Sequence, residues 1–119
     1  MYIRNPEEIK WIQNWINTND NAPEYSSEQQ KHILKKLNQA LSFETFLHSK
    51  YVGQKRFSIE GVDALIPGLD TLMERGAEKG VEQFVVGMAH RGRLNVLTNI
   101  FGKSPEDIFS EFDSKEYDE

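Results

Sequence analysis

Apolar residues recur three and four positions apart in several stretches of this chain, and two of those stretches open with the same helix-start signal. In "NPEE" (Asn5 to Glu8) an asparagine can cap the helix, a proline takes the first helical position, and two acids favour the positive end of the helix dipole. "SPED" (Ser104 to Asp107) repeats this arrangement near the other end of the chain. The pattern therefore predicts a helix-rich fold.

The first fifty residues are predicted to be helical. The first helix has an apolar face, which we interpret first as part of the core and second as a surface for a partner. The helix is predicted to end within "NTNDNAPEY" (17–25). A second helix begins near Ser26 or Ser27, where a glutamine three residues on can close a capping box, and Ser42 is expected to cap a short third helix. The apolar faces of the first two helices consist of Ile9, Ile12, Trp15 and Ile16, and of Ile33, Leu34, Leu37 and Leu41.

The pattern changes after this helical stretch. Lys55 to Gly61 forms a brief β-prone run, and Asp63 to Lys79 reads as a helix with Gly80 as its stop. The β-branched and aromatic content of Val81 to Met88 predicts a mostly buried strand, and a further helix is expected from Gly92 to Phe101. Strand, helix, strand and helix in this order are typical of a parallel sheet covered by helices.

Composition excludes several classes of protein. The chain has 119 residues and a formal net charge of −5, which argues against nucleic-acid binding because contact with phosphates needs a basic face. It has no cysteine, so we expect no disulfide and no thiolate metal site. The absence suits a reducing compartment, and chance absence explains it nearly as well. No apolar run approaches the roughly 20 residues that span a bilayer, and the N-terminus lacks a secretory signal. We therefore expect a cytoplasmic protein without membrane contact, and its scattered acids predict no metal site.

The junction "GMAHRGRLNVL" (Gly87 to Leu97) concentrates positive charge in this acidic chain. It lies where a strand is predicted to end and a helix to begin, a place where unpaired backbone N–H groups attract anions. Gly92 allows a close turn, Arg91 and Arg93 can bind carboxylate or phosphate oxygens, and His90 can donate or accept a proton near neutral pH. The residues indicate an anion site. The alternative, equally open at this point, is that both arginines pair with acids and that the histidine caps a strand.

The other basic and aromatic residues receive simpler interpretations. Lys55 and Arg56 are weaker candidates for the same anion site, because a pair of basic residues is usually surface. His32 and His48 are expected at the surface. The two tryptophans, four positions apart, are expected to anchor a core or an interface rather than to stack on a ligand.

Two long motifs carry a resemblance to a known family. "KRFSIEGVDALIPGLD" and "GMAHRGRLNVLTNIFGKSPEDIFSEF" resemble the thiamine diphosphate-dependent, decarboxylating first component of the 2-oxoglutarate dehydrogenase complex. "PEEIKWIQNWI" and "FLHSKYVGQKRFS" are similar to its pattern as well, so the resemblance covers almost the whole chain. It implies oxidative decarboxylation of 2-oxoglutarate in the citric acid cycle and transfer of the succinyl group to a lipoyl arm.

The resemblance also implies roles for residues and parts of the chain. His90 matches the histidine that contacts 2-oxoglutarate and is the catalytic candidate, Arg91 matches the arginine beside substrate and cofactor, and Arg93 supports the loop. Residues 1–53 match a helical lead-in, 54–112 the first part of the cofactor-binding α/β domain as a βαβα piece, and 113–119 form an acidic tail. The full-length parent would bind thiamine diphosphate and magnesium, form a homodimer, and act with the lipoyl-bearing succinyltransferase of the complex.

The chain departs from the family in what it lacks. It contains neither the Gly-Asp-Gly and asparagine motif that holds magnesium and diphosphate nor the Lys-Tyr-His sequence with a second substrate histidine. We therefore expect an internal fragment that binds no cofactor and is inactive when isolated. A non-enzymatic module that binds an anion, or an interaction domain that uses its tryptophan-bearing helix, remains an alternative.

Overall fold

Five α-helices account for most of the chain in a computed structural model, which describes residues 2–18 and 22–114. The helix-rich class predicted from the sequence is confirmed. The chain divides into two compact units, Met1–Gln30 and Lys31–Glu119. The helices are α1 (Pro6–Thr18), α2 (Ser27–Lys50), α3 (Leu65–Glu78), α4 (Arg93–Asn99) and α5 (Pro105–Ser114).

Three of the predicted helix starts form as expected. The side-chain oxygen of Asn5 accepts a hydrogen bond from the backbone N–H two residues on at 2.9 Å, and Ser104 Oγ accepts one from the N–H three residues on at 3.2 Å. Ser26 and Gln29 form a reciprocal capping box with distances of 3.3 and 2.9 Å. Each cap satisfies backbone donors that the first turn of a helix leaves without a partner.

The core prediction for the first helix is wrong. No residue of α1 is buried, and the side chains of Trp11 and Trp15 are 67% and 61% exposed. The described residues of the unit Met1–Gln30 form this helix and only the first turn of α2, so they offer no second apolar surface of sufficient size to cover the aromatic face.

The separate third helix predicted from Ser42 is also wrong, because α2 runs unbroken through this position. No glycine or proline lies between Ser27 and Lys50, and Ser42 sits on the exposed side of the helix, so nothing stops its propagation. The buried face also differs from the predicted stripe, since Leu34 and Leu41 are exposed. The buried residues of α2 are Ala40, Phe43, Glu44 and Leu47.

Neither predicted strand forms within residues 2–18 and 22–114, so this part of the chain contains no βαβα unit. In the first run, Phe57 adopts a φ of 50°, which a strand does not allow, and the N–H of Ile59 binds a side chain rather than a neighbouring strand. The second run is not buried as predicted: Val85 is 92% exposed. A strand needs a neighbouring strand that pairs with its backbone N–H and C=O groups, and neither run has one among the described residues.

The core of the second unit consists of two clusters that share α2. In the first, the end of α2 packs against α5. In the second, the middle of α2 packs against the loop before α3, the start of α3 and α4. The buried members of the first cluster are Phe43, Leu47, Tyr51, Ile108 and Phe112, and those of the second are Ala40, Ile59, Ile66 and Val96.

A buried carboxylate joins three parts of this unit. Glu44 is only 4% exposed, and its Oε1 accepts hydrogen bonds from Ile59 N at 3.0 Å and Asn95 Nδ2 at 3.3 Å. Its Oε2 accepts one from Arg56 Nη1 at 3.3 Å. Asn95 is fully buried and also donates to the carbonyl of Ala40 at 2.9 Å. The carboxylate thereby holds the loop before α3 and the helix α4 on α2.

We expect Glu44→Gln to lower the free energy of unfolding by about 1–3 kcal/mol, because the amide no longer balances the half-buried charge of Arg56. Urea unfolding followed by circular dichroism measures this loss. The matched control is Glu78→Gln on the exposed surface of α3, which should change the free energy by less than about 0.5 kcal/mol. Equal losses in the two variants would contradict the role assigned to the buried carboxylate.

A second polar contact ties α3 to α2. His32 Nε2 lies 2.6 Å from Asp70 Oδ2, and Lys36 Nζ lies 2.9 Å from Asp70 Oδ1, with the Asp70 side chain 14% exposed. Burial alone would raise the pKa of Asp70, but hydrogen bonds from His32 and Lys36 and their positive charges outweigh it, so this pKa lies below its ordinary value.

Because the pKa of Asp70 is lowered in the folded state, its carboxylate stabilises the fold above the unfolded pKa of about 4, and this contribution is lost as the pH falls through the folded value. We expect the difference in unfolding free energy between the original chain and Asp70→Asn to have its full size at pH 5, where the Asp70 carboxylate is charged in both states, and to shrink as the pH falls below about 4. Urea titrations across this range test it. A difference that grows on acidification would reverse the assigned sign.

Candidate functional site

A tight turn places the basic motif at the start of α4. The carbonyl of His90 accepts a hydrogen bond from Arg93 N at 3.0 Å, and Gly92 N donates to the carbonyl of Phe57 at 2.6 Å. These two backbone N–H groups are therefore already bonded within the protein. An anion at this turn would therefore be held by side chains rather than by these two amides.

Only glycine fits at position 92, directly before α4. Gly92 has a φ of 71°, the left-handed region that other residues rarely adopt, and it is the residue preceding the first turn of α4. A Cβ atom built at this position would lie 2.8 Å from Ile59 Cγ1, closer than packing allows. The backbone at Gly92 is therefore in close contact with Ile59, whose N–H donates a hydrogen bond to Glu44.

The imidazole of His90 stacks on the ring of Phe57, with centroids 4.9 Å apart and an angle of 21° between the planes. The histidine is exposed, and no side chain or backbone group of the described residues forms a hydrogen bond with its ring nitrogens. Stacking restricts the plane of the ring and leaves its nitrogens available to a ligand. The arrangement can donate or accept one hydrogen bond near neutral pH.

Arg91 extends along the loop that precedes α3. Its Nη2 donates a short hydrogen bond to the carbonyl of Glu60, and the side chain is exposed. Together with Phe57, Ser58 and Glu60 it lines an open depression of about 400 Å³. One hydrogen bond to a carbonyl positions the guanidinium but leaves its charge unneutralised, so the depression can receive an anion.

Arg93 also lies near the Phe57 ring. Its Cζ is 6.0 Å from the ring centroid, and it lines a separate cavity of about 220 Å³ together with Lys55. The two arginines of the motif, Arg91 and Arg93, therefore line different cavities. Arg56, a weaker candidate in the sequence, is turned away from both, because it binds Glu44 and donates to His48 Nδ1 at 2.9 Å.

One group of three potential metal ligands occurs in the part of the chain that the structure describes. His32, Asp70 and Glu74 present ligand atoms within 4.8 Å of one another. The ammonium group of Lys36 already neutralises Asp70 at 2.9 Å, and the acids of this group do not lie in the described surroundings of His90 and Arg91. Among residues 2–18 and 22–114, none of the helices is both long and apolar enough to cross a bilayer.

Sequence reasoning missed Phe57, Glu44 and Asn95, which together hold the motif in place. A signal for two of them was present. Glu44 follows Ala40 by four positions and precedes Leu47 by three, so it shares their helix face and had to be buried with them. Asn95 lies within the apolar run "LNVL". Phe57 gave no signal, because its left-handed backbone depends on contacts made far along the chain.

Comparison with known proteins shows which class of protein this chain resembles. No known family profile matches the chain. Its relatives are enzymes of 2-oxoglutarate metabolism: it is 50% identical over 112 residues to the multifunctional 2-oxoglutarate metabolism enzyme of Mycolicibacterium vanbaalenii, a match that covers 94% of this chain and 9% of that enzyme.

Two further relatives specify the component. The chain is 47% identical over 119 residues to the 2-oxoglutarate dehydrogenase E1 component of Cupriavidus necator, with 100% of this chain and 12% of that protein covered. It is 47% identical over 114 residues to the 2-oxoglutarate dehydrogenase E1/E2 component of Corynebacterium glutamicum, with 96% and 9% covered. The resemblance seen in the motifs is confirmed: the chain is related to 2-oxoglutarate dehydrogenase E1 components, and it spans 9–12% of the length of these relatives.

We expect Gly92→Ala to destabilise the chain by about 2–4 kcal/mol, since it combines a left-handed φ with a collision against Ile59. Gly68→Ala provides the matched control, because a Cβ there meets nothing within 4 Å and Gly68 lies inside α3. That control should raise the free energy of unfolding by about 0.5–1 kcal/mol. Urea unfolding of both variants measures the two effects, and changes of the same sign would contradict the geometry of the turn.

Proposed function

We propose that this chain is a segment of a 2-oxoglutarate dehydrogenase E1 component, an oxidoreductase, and that it supplies His90 and Arg91 to the substrate site. The observation that carries the proposal is the 47% identity to the enzyme of Cupriavidus necator over all 119 residues. The whole enzyme would decarboxylate 2-oxoglutarate oxidatively and pass the succinyl group to a lipoyl arm.

The exposed side chains around Phe57 suit a dianionic 2-oxo acid. Arg91 offers the N–H groups that do not bind the Glu60 carbonyl to a substrate carboxylate, and a charged pair of this kind is short and directional. His90, held in plane by the Phe57 ring, offers a ring nitrogen to the second carboxylate or to the keto oxygen as its charge changes. Both side chains are positioned before substrate arrives, which reduces the entropy lost on binding.

The described residues do not fit magnesium-bound thiamine diphosphate, the cofactor that the family implies. Magnesium takes six oxygen ligands in an octahedral arrangement, whereas the one group of potential ligands includes a histidine and an aspartate already neutralised by Lys36. We therefore assign no step on the cofactor to this segment. We propose that this segment contributes contacts to the substrate only, except that Arg91 could also bind an anionic group of the cofactor.

The organisation of the whole enzyme follows as part of the same proposal. Residues 1–53 would form the helical lead-in, 54–112 the first part of the α/β domain, and 113–119 an acidic tail. The exposed run 81–88 would become a sheet strand once strands from elsewhere in the enzyme pair with it, and the 92% exposure of Val85 supports this. We further propose a homodimer in the cytoplasm that acts with a lipoyl-bearing succinyltransferase.

A chimera tests the substrate-site proposal. This chain replaces the matching segment of the Cupriavidus necator enzyme, and 2-oxoglutarate-dependent release of carbon dioxide is measured with cofactor present. We expect the chimera to be active and the isolated 119-residue chain to be inactive. His90→Gln should lower kcat at least tenfold, and Arg91→Gln should raise KM about tenfold or more, since a charge-assisted hydrogen bond contributes about 1.5–3 kcal/mol.

The matched control is Arg75→Gln, which removes an exposed arginine of α3 outside the site and should leave kcat and KM unchanged. Thermal unfolding of each chimera verifies that it is folded. A folded chimera without activity would refute the proposed roles. They would also be refuted if His90→Gln left kcat unchanged and Arg91→Gln left KM unchanged.

A further inference from the structure

The second cavity beside the basic motif combines an apolar floor with two cations. It has a volume of about 220 Å³ and is bounded by helices α4 and α5 and by the loop before α3. The floor is well packed, since Ile108 is 1% and Phe112 8% exposed. The main lining residues are Lys55, Arg93, Leu94, Leu97, Ile108 and Phe112.

The charge in this cavity is not neutralised within the described residues. Neither Lys55 nor Arg93 forms an ion pair with a carboxylate of residues 2–18 or 22–114. Glu111 also lines the cavity, but its Oε1 binds Lys103 Nζ at 2.7 Å, so a third cation offsets its charge. Three cations, Lys55, Arg93 and Lys103, therefore accompany the one carboxylate at this cavity.

The Arg93 guanidinium is held in place before any ligand binds. The side chain is half-buried, and its Cζ lies 6.0 Å from the centre of the Phe57 ring. The ring attracts the cation but offers it no hydrogen-bond acceptor, so the guanidinium keeps its planar set of N–H donors for a ligand. Leu94 and Leu97 lie on the same helix one turn apart and extend the apolar surface below it.

From this combination we propose that the Lys55–Arg93 cavity binds a small amphipathic monocarboxylate, a site separate from the Arg91 depression. The carboxylate lies between the two cations, and an aliphatic tail lies on the leucine, isoleucine and phenylalanine floor. A volume of about 220 Å³ holds roughly seven or eight water-sized non-hydrogen atoms at about 30 Å³ each, the size of a six-carbon fatty acid. A phosphate or dicarboxylate fits less well, because its second charge would rest against apolar carbon.

Hexanoate is the probe for this site, and the 119-residue chain is titrated by calorimetry and by amide NMR shifts. We expect hexanoate to bind at least tenfold more tightly than hexanamide, which has the same shape without the charge, and than acetate, which has the charge without the tail. Shifts should centre on α4 and α5. Comparable binding of hexanamide would show a merely apolar crevice, and comparable binding of acetate or inorganic phosphate a merely basic surface; either result overturns the proposal, as does the absence of hexanoate binding.

Variants separate this cavity from the substrate site proposed above. Arg93→Gln and Lys55→Gln should each weaken hexanoate binding about tenfold, whereas Lys79→Gln, at an exposed position after α3, should not change it. Arg91→Gln should also leave hexanoate binding unchanged, because Arg91 lines the other depression. If Arg91→Gln and Arg93→Gln weakened hexanoate binding equally, the two cavities would form a single site and this inference would be overturned. The chimera test of the substrate site would not be affected. The ligand comparison requires no substitution, so it holds even where a variant does not fold.

Discussion

The carboxylate of Glu44 is the interaction on which the second unit depends. It is buried on α2 and accepts hydrogen bonds from Ile59 N, Asn95 Nδ2 and Arg56 Nη1. A buried charge is tolerated only when it is paired and fully hydrogen-bonded, so the loop before α3 and the helix α4 must both stay in contact with α2. The apolar clusters on either side of Glu44 then pack in one arrangement.

This arrangement decides where the functional side chains point. Ile59, held through its N–H, occupies the space that a side chain at Gly92 would need, and the carbonyl of Phe57 accepts the Gly92 N–H. The Phe57 ring lines both cavities beside the motif. Arg91 lines one cavity and Arg93 the other. A short basic run in the sequence thus becomes two separate positive sites, one proposed for a 2-oxo acid and one for an amphipathic carboxylate.

Predictions based on local chemistry succeeded except at Ser42, and those based on burial largely failed. The caps at Asn5, Ser26 and Ser104 form because donor and acceptor are two or three residues apart, within reach of the chain's own turn. The strand predicted over 81–88 does not form, because its backbone groups need a partner strand and the described residues supply none. The same reasoning explains the exposed tryptophans of α1, whose apolar face lacks a covering surface within its unit.

By itself, the sequence determined the helix starts at Asn5, Ser26 and Ser104 and the relation to 2-oxoglutarate dehydrogenase E1 components. Each of these depends on neighbouring residues or on the order of residues in a motif. Only the tertiary structure decided that Glu44 is buried, that Arg56 faces away from the site, and that a side chain at position 92 would collide with Ile59. It also decided that Arg91 and Arg93 line different cavities. Those outcomes depend on contacts between segments far apart in the chain, since Glu44 and Asn95 are 51 positions apart, and local periodicity carries no information about them.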